Sequence, residues 1–227
     1  RLSGKNVISL SSGEPDFDTP NHIKNEAIKS INAGFTKYTQ VDGIPELKES
    51  IVRKFLHENN IKYEQNQISV GVGGKHVIYN LFMSSINHGD EVIIPAPYWV
   101  SYPDIVSLCG GQPKTIETKI EDGFKITPEL LKEKITKKTK WLIINSPCNP
   151  TGTVYSKKEL KEISKVLIDH SWVKILSDDI YEHILYGQSE FSNIINVEPR
   201  LYERTFIVNG VSKAFSMTGW RIGYGAG

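Results

Sequence analysis

The sequence predicts an α/β fold: three layers, α/β/α, built on a mostly parallel sheet. Helical periodicity alternates with short apolar runs almost from end to end, the pattern of strands paired in parallel and joined by crossover helices. A Gly-Gly pair directly after the first apolar run opens a helix, as at the strand ends of open sheets. No internal repeat and no low-complexity linker interrupts the alternation.

Taken in order, a first helix is expected over Pro20 to Ala33, with Pro20 suited to a first helical position, Ile23, Ala27, Ile28 and Ile31 on one face, and Gly34 as the stop. A second runs from about Ile44 to Asn59, with Leu47, Ile51, Phe55 and Leu56 as its buried stripe. Strands follow at Ile68 to Val72, Glu91 to Ile94, Lys114 to Glu117, Trp141 to Asn145, Val173 to Ser177, Arg204 to Val208 and Arg221 to Tyr224. Between them lie helical stretches at Lys75 to Ile86, Val100 to Leu108, Pro128 to Ile135 and Lys157 to Asp169. Residues 1–36 lack the strand–helix alternation and read as an N-terminal segment associated with a second, smaller domain. Residues 37–227 read as the large domain, incomplete at its C-terminal end.

A chain of 227 residues with 39% hydrophobic content can bury a sizeable core. With 27 Lys and Arg against 26 Asp and Glu, the formal charge is +1. No global field draws it toward nucleic acid or an anionic membrane, so any anion site is local. The two cysteines, Cys109 and Cys148, are too few for a disulfide framework or a zinc cluster and suggest a reducing, cytoplasmic setting. No run approaches a membrane span and no charged-then-apolar leader opens the sequence. The start at Arg1 and the stop at Gly227, within an expected strand, suggest a piece of a longer polypeptide.

Ligands of open α/β sheets bind beyond the carboxyl ends of the strands. Gly73-Gly74-Lys75 follows the first strand, where two glycines and the free amides of a helix start offer an anion site. It is neither a Walker loop, since Ser69 and His76 stand where Gly and Ser or Thr are needed, nor a complete GxGxxG. Alone, such a pair is as readily a tight turn. Ser146-Pro147-Cys148-Asn149-Pro150-Thr151-Gly152 is a stiff loop in which Asn149 offers a donor and an acceptor, although an isolated Asn-Pro is more often a plain turn. Asp178-Asp179-Ile180-Tyr181 places a carboxylate at the end of an apolar strand, costly to bury without a cationic partner; Asp179 suits an exposed helix cap. Most lysines are solvated surface charges. Lys213 differs, lying among Val211, Ala214, Phe215, Met217 and Trp220, where desolvation lowers the amine pKa and frees it for a carbonyl. Together these strand ends meet the needs of one cofactor, pyridoxal 5'-phosphate (PLP): amides and Arg221 for a phosphate, Asp178 for a pyridine nitrogen, Asn149 and Tyr181 for a phenolate oxygen, Lys213 for an aldehyde.

At these residues the sequence resembles the class I aminotransferases of PLP-dependent transferase fold type I, and most of all their bacterial aspartate aminotransferase branch. The matching segments are SSGEPDFDTP, TKYTQVDGIPELKES, VGGKHVIYNLF, PAPYWVSYPD, NSPCNPTG, SDDIYEHILY and NGVSKAFSMTGWRIGY, in the family's order and over nearly the whole chain. The resemblance implies that Lys213 holds the cofactor as a Schiff base and, once released, moves the proton. It implies that Asp178 keeps the pyridine nitrogen protonated and that Asn149 and Tyr181 hold the phenolate oxygen, Asn149 also touching the substrate carboxylate. Trp99 would stack on the ring and meet the substrate, although a tryptophan after Pro97-Tyr98 is by composition more often core. Gly74, Lys75, Ser212 and Arg221 would bind the phosphate, Lys75 through its amide as much as its amine. Tyr38 would reach the phosphate of a neighbouring subunit and Gly13 the substrate carboxylate, which implies a homodimer.

The sequence departs from the family pattern in two places. Some relatives have a phosphate-binding serine three residues before the lysine, where this chain has Gly210, leaving that bond to Ser212 or to no residue. Family members also continue into a small domain, largely missing here, whose arginine grips the substrate's α-carboxylate. The implied activity is aspartate:2-oxoglutarate transamination, ping-pong through pyridoxamine phosphate, in amino-acid metabolism and biosynthesis. An aromatic, prephenate or alanine aminotransferase, or a PLP lyase, shares the same site. So does, in a different class, the non-catalytic effector domain of a regulator. The expected partners are an amino acid and a 2-oxo acid, with no metal, nucleic acid or membrane.

Overall fold

All seven apolar runs pair into one sheet in the computed structural model, which describes residue 8 and residues 13–227. The start of the expected N-terminal segment, including Ser11 and Ser12 of its first motif, lies outside the described residues. The strands are β1 (Ile68–Gly71), β2 (Glu91–Ala96), β3 (Gln112–Glu117), β4 (Thr139–Asn145), β5 (Lys174–Asp178), β6 (Thr205–Gly210) and β7 (Gly223–Ala226). Their order across the sheet is β1-β7-β6-β5-β4-β2-β3. Pairings from β6 through to β3 are parallel, whereas β7 runs antiparallel to both its neighbours, β1 and β6. The sheet is therefore mostly parallel with one reversed strand. That reversal puts the start of β7, just after Arg221, on the edge where the parallel strands end.

The helices are α1 (Asn21–Asn32), α2 (Pro45–Asn59), α3 (Gly74–Ser85), α4 (Ser101–Leu108), α5 (Pro128–Lys134), α6 (Lys157–Asp169) and the single turn α7 (Ile194–Val197). Their ends follow local chemistry. Pro45 and Pro128 open α2 and α5, where a missing amide costs nothing. Ser156 and Glu159 cap α6 reciprocally. The turn α7 and the 3-10 segment Pro199–Arg204 carry no helical period long enough to be expected.

Period two along the strands sorts the interior into two cores, one per sheet face. Trp141 and Ile143 of β4, Val92 and Ile94 of β2, Leu176 of β5 and Val208 of β6 join Val77, Ile78 and Phe82 of α3 and Tyr102, Ile105 and Val106 of α4. Leu142, Ile144, Ile93, Ile175 and Ile207 face the other way, onto Ile51 and Phe55 of α2, Leu131 of α5 and Leu160, Ile163 and Leu167 of α6. Each fully buried Leu or Ile contributes about 2 kcal/mol relative to exposure. The three layers are thus α3 and α4, the sheet, and α2, α5 and α6.

One expected helix face is corrected. In α2 the buried residues are Lys48, Ile51, Phe55 and Asn59, one stripe spaced three and four apart, while Leu56 lies about 100° off it and is exposed. No residue of α1 is buried, and Ile28 and Ile31 are exposed. No helix among the described residues is long and apolar enough to cross a membrane.

The entry to β6 is fastened by Arg204. Its guanidinium donates to the carbonyls of Leu167 at 2.6 Å, His170 at 3.1 Å and Val173 at 2.6 Å, and so satisfies the end of α6 and the approach to β5 together. Arg204→Met is expected to lower stability in urea denaturation by about 2 kcal/mol, because three carbonyls lose a charged donor at once. An unchanged midpoint would mean that water replaces the guanidinium without loss.

Candidate functional site

Polar side chains collect where the strands stop. The ends of β1, β4, β5 and β6 and the start of β7 enclose a cavity of about 710 Å³. Gly13, Gly74, Lys75, Trp99, Asn149, Asp178, Tyr181, Ser212, Lys213 and Arg221 all line it. Every site residue expected from the sequence is therefore present except Tyr38, which is fully exposed and does not reach this cavity within the chain.

Gly73 has φ +83°, the left-handed region open to glycine, and precedes the first turn of α3. A side-chain carbon there would collide with the Arg221 guanidinium. The amides of Gly74 and Lys75 point out of a helix start with no intrahelical acceptor. Arg221, itself at φ 57°, donates from Nη1 to the Thr218 carbonyl at 2.9 Å. Bare amides and a guanidinium thus meet at one end of the cavity, an arrangement suited to an anion with several oxygens. The Lys75 side chain is exposed, with Nζ 5.0 Å from the centre of the Trp99 ring.

Gly210 ends β6, in register with Gly223 of β7. A methyl group there would lie 2.9 Å from the Ile222 carbonyl oxygen and 3.2 Å from Cα of Gly223. A serine at that position would therefore require the neighbouring backbone to shift. Ser212, buried and lining the cavity, is the hydroxyl available nearby.

Asp178 occupies the far side. Alternation along β5 turns it to the same face as Leu176, toward α4, and it is only 6% exposed. The Tyr102 hydroxyl donates to its Oδ2 at 2.6 Å and the Ile180 amide to Oδ1 at 3.3 Å. No cation pairs with it among the described residues. Burial raises its carboxyl above the ordinary value, and the Tyr102 and Ile180 hydrogen bonds pull it down. Tyr102, which lines the cavity but was not singled out in the sequence, looks like an ordinary core aromatic on α4. Its ring meets Trp99 edge-on at 5.3 Å, so it braces two site residues at once. Tyr181 is half-buried, and burial, then the Asp178 charge, raise its hydroxyl pKa while Asn149 lowers it.

Lys213 reaches in from the turn after β6 and donates to the Gly13 carbonyl. Burial lowers its amine pKa, the Glu14 carboxylate raises it and the Arg221 charge lowers it again. The segment around Gly13 is fastened to the lysine's own loop: Thr218 Oγ1 donates to Glu14 at 2.6 Å, Thr19 Oγ1 to the Ser216 carbonyl at 2.6 Å, and Trp220 Nε1 to Thr19 at 3.1 Å.

Asp179 is not an exposed cap. It is buried on the opposite sheet face, accepting from Ser177 Oγ at 2.7 Å and Asn193 Nδ2 at 2.5 Å. Burial, then the neighbouring Glu182 charge, push its carboxyl up to about 7, against the pull of Ser177, Asn193 and Lys54.

The profile of the family described as aminotransferase class I and II matches residues 5–227. Over all 227 residues the chain is 60% identical to a probable aspartate/prephenate aminotransferase of Rickettsia bellii, covering 57% of that protein. It is 56% identical over 225 residues to an aspartate/prephenate aminotransferase of Cereibacter sphaeroides, covering 99% of this chain and 56% of that one. Its structure superimposes on the crystal structure of an aspartate aminotransferase from Rhizobium meliloti with a TM-score of 0.97 at 50% identity, covering 100% of this chain and 56% of that one. The chain spans somewhat over half the length of the curated relatives it matches.

Two outcomes are expected of these carboxylates. In Tyr102→Phe, Asp178 keeps its burial but loses its shortest hydrogen bond, so its pKa should rise further; infrared titration, with Asp178→Asn as the subtraction, reads the carboxyl band directly. Asp179 holds a proton in the folded state at pH values where the unfolded chain, near 3.8, has released it. Its contribution to stability is fully present below about pH 4 and is lost as the pH rises through about 7. Asp179→Asn should therefore gain on the wild type in thermal denaturation as the pH rises across that window. Parallel curves would show that Asp179 ionises normally.

Proposed function

Because the chain belongs to the class I and II aminotransferase family, we propose that it is the PLP-binding part of an aminotransferase that moves an amino group between a dicarboxylic amino acid and 2-oxoglutarate. One cavity that gathers a lysine, a buried carboxylate, an anion cradle and an aromatic face carries this reading.

The residues present fit PLP. Gly73 lacks the side chain that would displace Arg221 from the cradle, Asp178 is buried with no cation paired to it among the described residues, and Lys213 has a lowered amine pKa. When bound, PLP supplies an electron sink conjugated to the substrate's α-carbon. Lys213 would hold the cofactor through its amine and would carry the proton to and from that carbon. The Gly13 carbonyl gives its amine a resting acceptor. Asp178 keeps the ring nitrogen protonated, and Tyr102 keeps Asp178 ionised and aimed. Asn149 and Tyr181 hold the phenolate oxygen, and Trp99 covers the ring. Gly74, Lys75, Ser212 and Arg221 take the phosphate, while Gly13 and Asn149 meet the substrate carboxylate.

Tyr38, exposed and outside its own chain's cavity, serves the phosphate of a second copy in a homodimer. Residues 1–36, with the uncovered face of α1, belong with the smaller domain and 37–227 with the large one. The enzyme works in the cytoplasm. A second reading, transamination of prephenate, is favoured by the names of relatives 60% and 56% identical to this chain.

Adding aspartate or glutamate to the holoenzyme should replace the visible absorbance of the bound cofactor by that of its amine form, and 2-oxoglutarate or prephenate should restore it. If no amino acid discharges it, the chain is an effector domain instead; if it is discharged irreversibly, a lyase. Lys213→Ala should abolish the borohydride-trapped adduct detected by peptide mass spectrometry. An adduct on another lysine would refute the assignment.

A further inference from the structure

The loop that carries Asn149 is tied mostly to itself. Cys148 N donates to the Thr153 carbonyl at 2.9 Å, Gly152 N to the Cys148 carbonyl at 2.7 Å, and Tyr155 N to Ser146 Oγ at 3.0 Å. One side chain joins it to the neighbouring strand. Asn145, the last residue of β4, stands in register with Asp178, the last of β5. Beyond that pair the backbone ladder stops. The Asn145 side chain continues it: Nδ2 donates to the Asp178 carbonyl at 2.9 Å, and Oδ1 accepts from the Asn149 amide at 2.8 Å. Among the described residues no other hydrogen bond links residues 146–153 to β5. Asn145 is half-buried and lines the cavity.

The bridge needs a donor and an acceptor on one short, planar group. Asp has no donor, Ser has a single atom, and Gln is one methylene too long. Only one orientation of the amide satisfies both partners, because one is a carbonyl and the other an N–H. We propose that Asn145 is a positioning residue that holds Asn149 and Asp178 in one frame, setting the spacing between the groups that meet the phenolate oxygen and the ring nitrogen of the cofactor. This rests on the PLP reading above. Without the amide, the Asn149 backbone loses its acceptor, and the loop keeps only its contacts to Tyr181 and Pro97, which hold Asn149 less firmly beside β5. A displacement on the order of 1 Å can reduce turnover about a hundredfold.

The test uses the holoenzyme as wild type, Asn145→Ala, Asn145→Ser and, as a destabilised control away from the cavity, Arg204→Met. The readouts are the pH titration of the bound cofactor's visible absorbance, the dissociation constant for PLP, and kcat and KM for aspartate. A loosened Asn149 donor stabilises the phenolate form less. Both Asn145 variants should therefore raise the titration midpoint by about one unit. They should also weaken PLP binding about tenfold and lower kcat about tenfold or more, with KM little changed. Arg204→Met should lower the melting temperature and leave the titration midpoint in place. The proposal is overturned if the Asn145 variants melt earlier but keep wild-type midpoint, PLP affinity and kcat, since Asn145 is then only structural. If the alanine variant does not fold, the serine variant decides by the same readouts. A wild type that forms no covalent PLP link overturns the PLP reading and this proposal with it, whereas a linked wild type matched by its variants overturns this proposal alone.

Discussion

A sheet covered on both faces leaves its strands only their ends for polar chemistry. Most interior positions of β2, β4, β5 and β6 are claimed by one core or the other, the buried polar Ser177 and Asn209 being hydrogen-bonded, and an unpaired polar group there costs several kcal/mol. Side chains able to bind a ligand are thereby swept to one edge. The six parallel strands stop at that edge and the reversed strand starts there, so residues as distant in sequence as Gly74, Asn149, Asp178 and Arg221 become neighbours. The cavity is a consequence of the layering as much as of its own lining.

Adjacent carboxylates at the tip of β5 illustrate how far the face of a strand governs chemistry. Asp178 turns toward α4 and the cavity, where a tyrosine hydroxyl and one amide satisfy it. Asp179 turns toward the other core, where Ser177 and Asn193 hold it and Glu182 lies close. Both are desolvated, yet only one opens onto space that a cationic ring nitrogen can enter. Shifting the strand by one residue would exchange these environments, so register alone decides which aspartate is available.

The element pattern was legible because it depends on local periodicity: all seven strands and the six longer helices lie within a few residues of where apolar spacing and prolines place them. The cavity lining was legible because strand-end position and residue type together identify a polar group with a purpose, as with Lys213 and Asp178. What escaped depends on long-range geometry. Nothing in GYGA announces that β7 runs backwards. Tyr102 carries the ordinary signature of a buried aromatic, and Asn145 reads as the last polar residue of a strand; each acts through an atom of a distant segment. Asp179 suited a cap because it follows the end of an apolar strand, while its neighbours in space, Asn193 and Ser177, satisfy it in the interior. Leu56 was misplaced by the limits of phase, since a stripe assigned from four residues cannot distinguish positions 55 and 56 when both are apolar.

The reversed strand also has a bearing on how the protein comes into being. β7 separates β1 from β6, although β1 comes first and β7 last among the seven described strands. During synthesis β1 emerges without a partner, and β6 takes shape with an open edge beside it. Until residues 223–226 leave the ribosome there is no sheet for β1 to join, and Gly73 and Arg221 remain on separate pieces of chain. Such late, distant pairing slows folding and leaves strand edges exposed to other chains in the meantime. The anion cradle formed by Gly73 and Arg221 therefore exists only after β7 has been made.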